Sequence, residues 1–389
     1  MDVFILDELL RRSEVIDTYE SFIWTERYSA YGDFELVIRS TAPTRKLLQV
    51  GTLLAINKSY RVMLVETVEN FVEDDGSAKL KVYGRSIEAL LEHRVNQVST
   101  ISGGTSVEYS EIIGTPGYVA RTFFDTVCRN NFSIPQDKLP FLVAGSLFPA
   151  GSIPEPTDTI TFRYENDSVY NSIKKVCDVY KLGFRLVRNG DESELYFDVY
   201  TGDDRTASQQ TNEPVIFSTS LDNLSKPADL TSDASFKNVA YVFGKNASKI
   251  VYADNYDSSV AGLDRRVLVV TASDIDLPVG AGLDQALIQK GKEELAQYRA
   301  VVAFEGEIPE FGSYAYGTDY DLGDLVSQMN IDGFVTNLLV TEQIFISDQE
   351  GERAYPTLTI DRIIPPGTWD SWNATQMWES ADIYWDDAS

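Results

Sequence analysis

The chain has 389 residues, 43% of them hydrophobic and 12% aromatic, enough for several domains that each bury a core and too apolar for a disordered chain. Its 60 acidic against 33 basic residues leave a formal charge of -27, which argues against holding nucleic acid or anionic lipid by phosphate neutralisation. A single histidine and two separated cysteines exclude a disulfide framework and the zinc motifs built from paired Cys or His ligands.

Residues 3 to 40 alternate as strands, with Phe22-Ile23-Trp24-Thr25-Glu26-Arg27-Tyr28 running into Tyr31-Gly32-Asp33-Phe34-Glu35-Leu36-Val37-Ile38. Gly32-Asp33 marks a turn or bulge between them, and the aromatic residues supply a half-buried face. No basic region precedes the first apolar run, and no stretch is long enough to span a bilayer, so cytoplasmic synthesis without membrane insertion is expected.

A pattern then begins that returns near the end of the chain. The early copy reads Val50-Gly51-Thr52-Leu53-Leu54, then Leu64-Val65 opening a run to Phe71, then Asp74-Asp75-Gly76 and Leu80-Lys81-Val82. The late copy reads Leu322-Gly323-Asp324-Leu325-Val326, then Leu339-Val340 opening a run to Phe345, then Glu350-Gly351 and Leu358-Thr359-Ile360. Gly51 falls opposite Gly323 and Gly76 opposite Gly351, at an offset of about 275 residues. Both copies have the alternation and acidic Gly turns of antiparallel structure, so each predicts part of a small β-barrel or sandwich.

Between the copies, Ser86 to Val95 reads as a short amphipathic helix and residues 99 to 116 as a polar loop. A helix follows from about Tyr118 to Asn130, then an irregular proline-rich connection over residues 135 to 156. Asp167 to Lys181 is helical by spacing, with Gly183 as its stop, and Phe184–Val187 and Leu195–Val199 form a hairpin across Asn189-Gly190. Cys128 and Cys177 fall in the helical stretches and read as buried thiols. Strands are predicted at 215–218, 238–244 and 267–271 and a helix over 283–300, which leads into the late copy. The expected class is α+β and β-rich: two similar small β-barrel domains flanking a helix-plus-hairpin middle. The boundaries are 1–98, 99–230, 231–365 and an acidic tail, 366–389. That tail carries Trp369, Trp372, Trp378 and Trp385 among five acidic residues and no basic ones, and either docks a partner or folds back on its own domain.

Chemistry is sparse. His93, the only imidazole, lies on the polar side of its helix. Asp203 and Asp204 follow a hairpin and read as solvated turn acids, although two carboxylates alone suffice for a glycosidase. Asp254, Asp257 and Asp264 are hard oxygen donors without the spacing of an EF-hand. Gly103-Gly104 lacks the following lysine of a phosphate cradle. No catalytic residue, metal or cofactor is therefore expected.

Trp24-Thr25-Glu26-Arg27-Tyr28 followed by Gly32-Asp33-Phe34-Glu35-Leu36, the segment Gly202-Asp203-Asp204-Arg205-Thr206, and Tyr320-Asp321-Leu322-Gly323-Asp324-Leu325-Val326 together resemble minor tail proteins of long-tailed bacteriophages. The likeness, over most of residues 1 to 365, is to the Siphovirus ReqiPepy-type tail proteins and the wider tail-tip or baseplate hub family. It implies a homotrimer whose two barrels per chain form a pseudo-hexameric ring at the tail tip of the virion, joining the sixfold tube to a threefold tip around a channel for DNA. The implied partners are other copies of the chain, distal tail, tail tube and tape-measure proteins, and downstream tip or receptor-binding proteins. DNA is a partner only in transit, and an acidic lumen would not grip its phosphates. Gly32, Asp33, Gly51, Gly323 and Asp324 are the candidate turn and packing positions. Hub proteins often extend into a hydrolase or fibre; here that activity is expected from another protein. The alternative function is a tail-associated cell-wall hydrolase or carbohydrate-binding adsorption protein.

Overall fold

The structure is a computed structural model that describes residues 1–98, 109–131, 134–190, 193–299, 301–307, 314–329, 333 and 335–359. Two compact units result: residues 1–230 with 303–359, and a second built on residues 231–302.

The first unit is dominated by one sheet. Its N-terminal strands are β1 (Val3–Leu6), β2 (Arg12–Ile16), β3 (Ser21–Arg27), β4 (Asp33–Arg39), β5 (Leu53–Ile56), β6 (Met63–Val72) and β7 (Ala78–Ser86). Strands β8 (Gly183–Arg188) and β9 (Leu195–Tyr200) form the hairpin of the middle region. The late copy supplies β10 (Leu325–Met329), β11 (Val335–Asp348) and β12 (Gly351–Thr359). The strand order is β12-β11-β3-β4-β7-β6-β5-β1-β2, with strand Val301–Glu307 outside β12, strand Ser225–Ser232 outside that, and β10 on β11.

Alternation decides which face is buried. Phe22 and Trp24 of β3 stand opposite Leu36 and Phe34 of β4, and Trp24 also stands opposite Phe345 of β11. All five are buried in one core with Leu54, Val65 and Val82, each large side chain contributing about 1.5–3 kcal/mol by burial. A second core lies in the middle region, where helix Val169–Tyr180, capped by the Ser168 hydroxyl, buries Ile173, Val176 and Cys177 against Phe123, Phe124, Phe184 and Val199. Burial pushes the Cys128 thiol up to about 12 and raises that of Cys177, and both are free.

Several local expectations change. The sequence predicts two separate small barrels; among the described residues no closed barrel forms, and the strands of both copies lie on one hydrogen-bonded path because β3 pairs with β11. The amphipathic stretch after β7 is a 3-10 helix, Ile87–His93, and the next helix is Pro116–Phe124 with a π-turn over Asp125–Arg129. Part of the predicted polar loop is a strand, Ser110–Gly114, paired with Ile160–Tyr164; residues 99–108, with Gly103-Gly104, lie outside the described residues. Lys181, at φ +57, rather than Gly183 ends the middle helix.

The second unit is a three-stranded sheet with Val239–Gly244 at its centre, antiparallel to Ser248–Tyr252 and parallel to Val267–Ala272. Helix Ala281–Leu295 covers one face, placing Leu283, Ala286, Leu287 and Leu295 on Ala240, Val242, Val251 and Val270.

Candidate functional site

The two copies of the repeat share one backbone geometry at matching positions, with a longer connection between Gly323 and Val340 than between Gly51 and Val65. Gly51 and Gly323 both take the left-handed region, at φ +93 and +90. The Gly51 amide donates to the Val65 carbonyl at 2.8 Å, and the Gly323 amide donates to the Val340 carbonyl at 2.8 Å. Val65 donates back to Thr52 and Val340 to Asp324, each at 2.9 Å. One residue later each strand bulges, between Val65 and Thr67 in β6 and between Val340 and Glu342 in β11. Gly76 and Gly351 then turn both hairpins at positive φ. Side-chain burial alone does not enforce such agreement; it needs the same strand, bulge and turn at the same spacing.

The late copy is bound to the rest of the unit at a seam around Tyr28. Its amide donates to Thr341, and its hydroxyl lies 3.1 Å from the Tyr200 carbonyl and 3.3 Å from that of Lys181. The ring meets Tyr200 edge-on, at 5.3 Å. A Cβ at either Gly183 or Gly323 would overlap this ring, and one at Gly202 would overlap the Gly323 backbone. Close approach therefore requires glycine at all three. Gly202 was legible only as part of a motif, and Gly183 only as a helix stop; neither signal pointed to a ring packed against them.

Beside the seam, Asp324 is buried and accepts from the Asp203 amide at 2.7 Å, the Asp321 amide at 2.9 Å and Arg205 Nε at 2.9 Å. Burial pushes its carboxyl up to about 6, against the pull of the two amides and Arg205. The Gly202–Thr206 and Asp321–Val326 motifs, over a hundred residues apart in sequence, thus form one contact, with Asp204-Arg205 parallel to Leu325-Val326. The Asp203 carboxylate accepts from the Ser152 amide at 2.7 Å and from Arg205 at 3.3 Å. Gly32 and Asp33 open β4: the Gly32 amide donates to Ser86, its missing side chain leaves room for the Thr25 carbonyl, and Asp33 pairs with Arg27 at 2.5 Å.

Beneath lies a buried charge cluster that composition did not reveal. Arg61 pairs with Glu88 and donates to the Arg27 carbonyl; Glu88 also accepts from the Leu186 amide at 2.8 Å. Glu26 accepts from Trp24 Nε1 at 2.8 Å and from the Tyr316 hydroxyl at 2.9 Å, and its burial raises its pKa. Arg185 reaches Asp198 and Asp321 and lies 3.9 Å from the Tyr200 ring centroid. The available signal was Glu88 between Ile87 and Ala89, and Arg61 before Val62-Met63, charges set inside apolar runs.

His93, Asp254, Asp257 and Asp264 are exposed, and among the described residues no three His, Cys, Asp or Glu side chains are grouped to hold a metal ion. Trp369, Trp372, Trp378 and Trp385 lie outside the described residues.

Residues 2–357 match the model of the Siphovirus ReqiPepy6 Gp37-like proteins. The chain belongs to this siphovirus tail-protein family. Two solved structures share its fold. One is the tail protein from Neisseria meningitidis MC58, at 12% identity and TM-score 0.54 over 92% of this chain and 96% of that one. The other is the 43 kDa tail protein of prophage MuSo2 from Shewanella oneidensis, at 13% identity and TM-score 0.56 over 92% and 98%. No curated protein sequence matches the chain. The β-rich, helix-poor architecture agrees with these tail proteins. Among the described residues no helix is long and apolar enough to cross a membrane.

Proposed function

We propose that this family member is the structural hub of a phage tail tip: three copies form a ring in which six alike β-units, two per chain, present a nearly sixfold face toward the tail tube and a threefold face toward the tip. The observation that carries the reading is the duplication, in which Gly51–Val65 and Gly323–Val340 repeat one turn, one pair of hydrogen bonds and one bulge. A chain with one such unit has no reason to copy it with this fidelity, whereas two per chain double the rotational order of a threefold assembly. The ring-forming domains are drawn from residues 1–98 and 231–365, with 99–230 between them.

In this reading the protein resides in the virion, contacts the distal tail, tail tube and tape-measure proteins, and lets DNA pass through a channel whose acidic wall does not hold phosphate. The role is mechanical and involves no catalysis. The segment with Trp369, Trp372, Trp378 and Trp385 attaches the next tip component. Light scattering on the purified chain over a range of concentrations tests the hub: a mass of three chains is expected, and a monomer at every concentration, alone or with tail tube protein, overturns it.

A further inference from the structure

Glu26 is a carboxyl group sealed inside the joint between the two copies. It lies on β3 opposite Gln343 of β11 and is 3% exposed. Its hydrogen-bond partners are uncharged: the Trp24 indole at Oε1, 2.8 Å away, the Tyr316 hydroxyl at Oε2, 2.9 Å away, and the Ser59 side chain. Arg61, the cation whose charge reaches it, is in direct contact with Glu88 and with the Arg27 carbonyl instead. Two buried acids thus depend on one guanidinium, and Glu88 holds it. An acid left in a core on neutral donors sheds its charge by taking a proton.

Tyr316 belongs to a short strap, residues 314–320, that leads into the late copy. Gly317 turns it at φ +76, with its amide donating to the Tyr320 carbonyl at 2.8 Å, and the Asp319 amide donates to the Ala315 carbonyl at 2.8 Å. The Tyr316 ring lies 5.7 Å from that of Tyr320 and 5.6 Å from that of Phe345. The other titratable and charged groups about its contact with Glu26 are Arg61, Tyr200 and Asp321. Burial raises the Tyr316 and Tyr200 phenols, which keeps both neutral. Burial also raises Glu26 above its ordinary value of 4.5, against the pull of Arg61 and of its hydrogen bonds.

We infer that Glu26 is a proton-controlled clasp, which as the acid fastens the 314–320 strap to β3 and as the carboxylate releases it. An indole N–H only donates, so Oε1 stays an acceptor and the proton resides on Oε2, facing the Tyr316 oxygen. Loss of that proton to water leaves an anion in the core while Arg61 is engaged by Glu88, and the anion regains hydration when Tyr316 lifts away. The folded state binds this proton more tightly than the unfolded chain. The stabilisation is therefore complete below the ordinary value of 4.5 and is lost as pH rises through the higher folded value. Release loosens the entry to the late copy and leaves the β3 to β11 ladder paired. The inference stands apart from the hub reading.

Trp24 reports on the clasp, because its indole donates to Glu26. The full chain carrying Trp369→Phe, Trp372→Phe, Trp378→Phe and Trp385→Phe keeps Trp24 as its one indole. Its emission, followed from about pH 4 to about pH 9, should change in a step above the ordinary 4.5. Glu26→Gln in the same chain should remove the step, whereas Asp324→Asn should leave it. Tyr316→Phe deletes a bond that favours the carboxylate and should move the step to higher pH. Hydrogen exchange on the unmodified chain gives a second readout. Measured against the Val65 amide, the Gly317 and Asp319 amides should exchange at least about tenfold faster above the step than below it. The absence of a step, its survival in Glu26→Gln, or a step without loss of protection at Gly317 and Asp319 overturns the clasp.

Discussion

Alanine at Gly323 and at Gly51 separates backbone strain from packing, because the two glycines share a conformation and differ in surroundings. Both lie near φ +90, where an L-residue costs about 1–2 kcal/mol. A Cβ at Gly51 meets nothing within 4 Å, so Gly51→Ala should lose only that amount. A Cβ at Gly323 overlaps Cε2 of Tyr28 and lies 2.9 Å from Cδ2 and 3.0 Å from Cζ. Tyr28 has little freedom to retreat, since its amide is bonded to Thr341, its ring abuts Tyr200, and Gly183 closes the opposite side. Overpacking of this kind adds about 1–3 kcal/mol, which brings Gly323→Ala to about 2–5 kcal/mol. Urea denaturation of both variants at one low protein concentration measures the difference, and Gly323→Ala combined with Tyr28→Ala should show a coupling of about 1–3 kcal/mol. Equal losses at Gly51 and Gly323, with no coupling to Tyr28, would refute the seam as the reason for glycine at 323.

Three further outcomes follow from the same residues. Asp324, at about 6 when folded against 3.8 as its ordinary value, makes the folded state bind a proton more readily than the unfolded chain; this favours folding below pH 4 and is lost as pH rises through 6. Asp324→Asn should therefore remove a stability difference of up to about 3 kcal/mol between pH 4 and pH 7, read from urea midpoints across that range. Arg61→Met strands Glu88 and Glu26 without their cation and should cost about 3–5 kcal/mol, with Glu88→Gln in the same chain recovering part of it in thermal melts. Stopping the chain after Gly367 should leave the number of chains in the assembly unchanged by light scattering while abolishing capture of the next tip component; retained capture removes the tryptophan segment from that role.

The duplication was legible because it rests on residues that only one backbone geometry tolerates. Gly51, Gly323, Gly76 and Gly351 all sit at positive φ, so their spacing carries the turns, and the alternation around Leu64-Val65 and Leu339-Val340 carries the strands between them. The middle helix was legible for a similar local reason, the helical spacing of Val169, Ile173, Val176, Cys177 and Tyr180; its Ser168 cap came from the structure. Strand Ser248–Tyr252 and the Ser110–Gly114 pair were missed because their residues are short, mixed and half-exposed, with no periodicity to read.

Which residues turn, which alternate and which must be glycine was determined by the sequence alone, since these are properties of a few neighbouring residues and their sterics. Which strand lies beside which was decided only in the tertiary structure. Nothing local to Trp24 or Phe345 says that β3 pairs with β11 across more than three hundred residues, and nothing local to Gly202 says that it meets Gly323. Strand edges carry the same amide and carbonyl groups whatever their side chains, so partner choice depends on how the two cores bring the edges together. The buried Arg61, Glu88 and Glu26 cluster follows from that choice: each charge is tolerable only because the folded chain supplies the others.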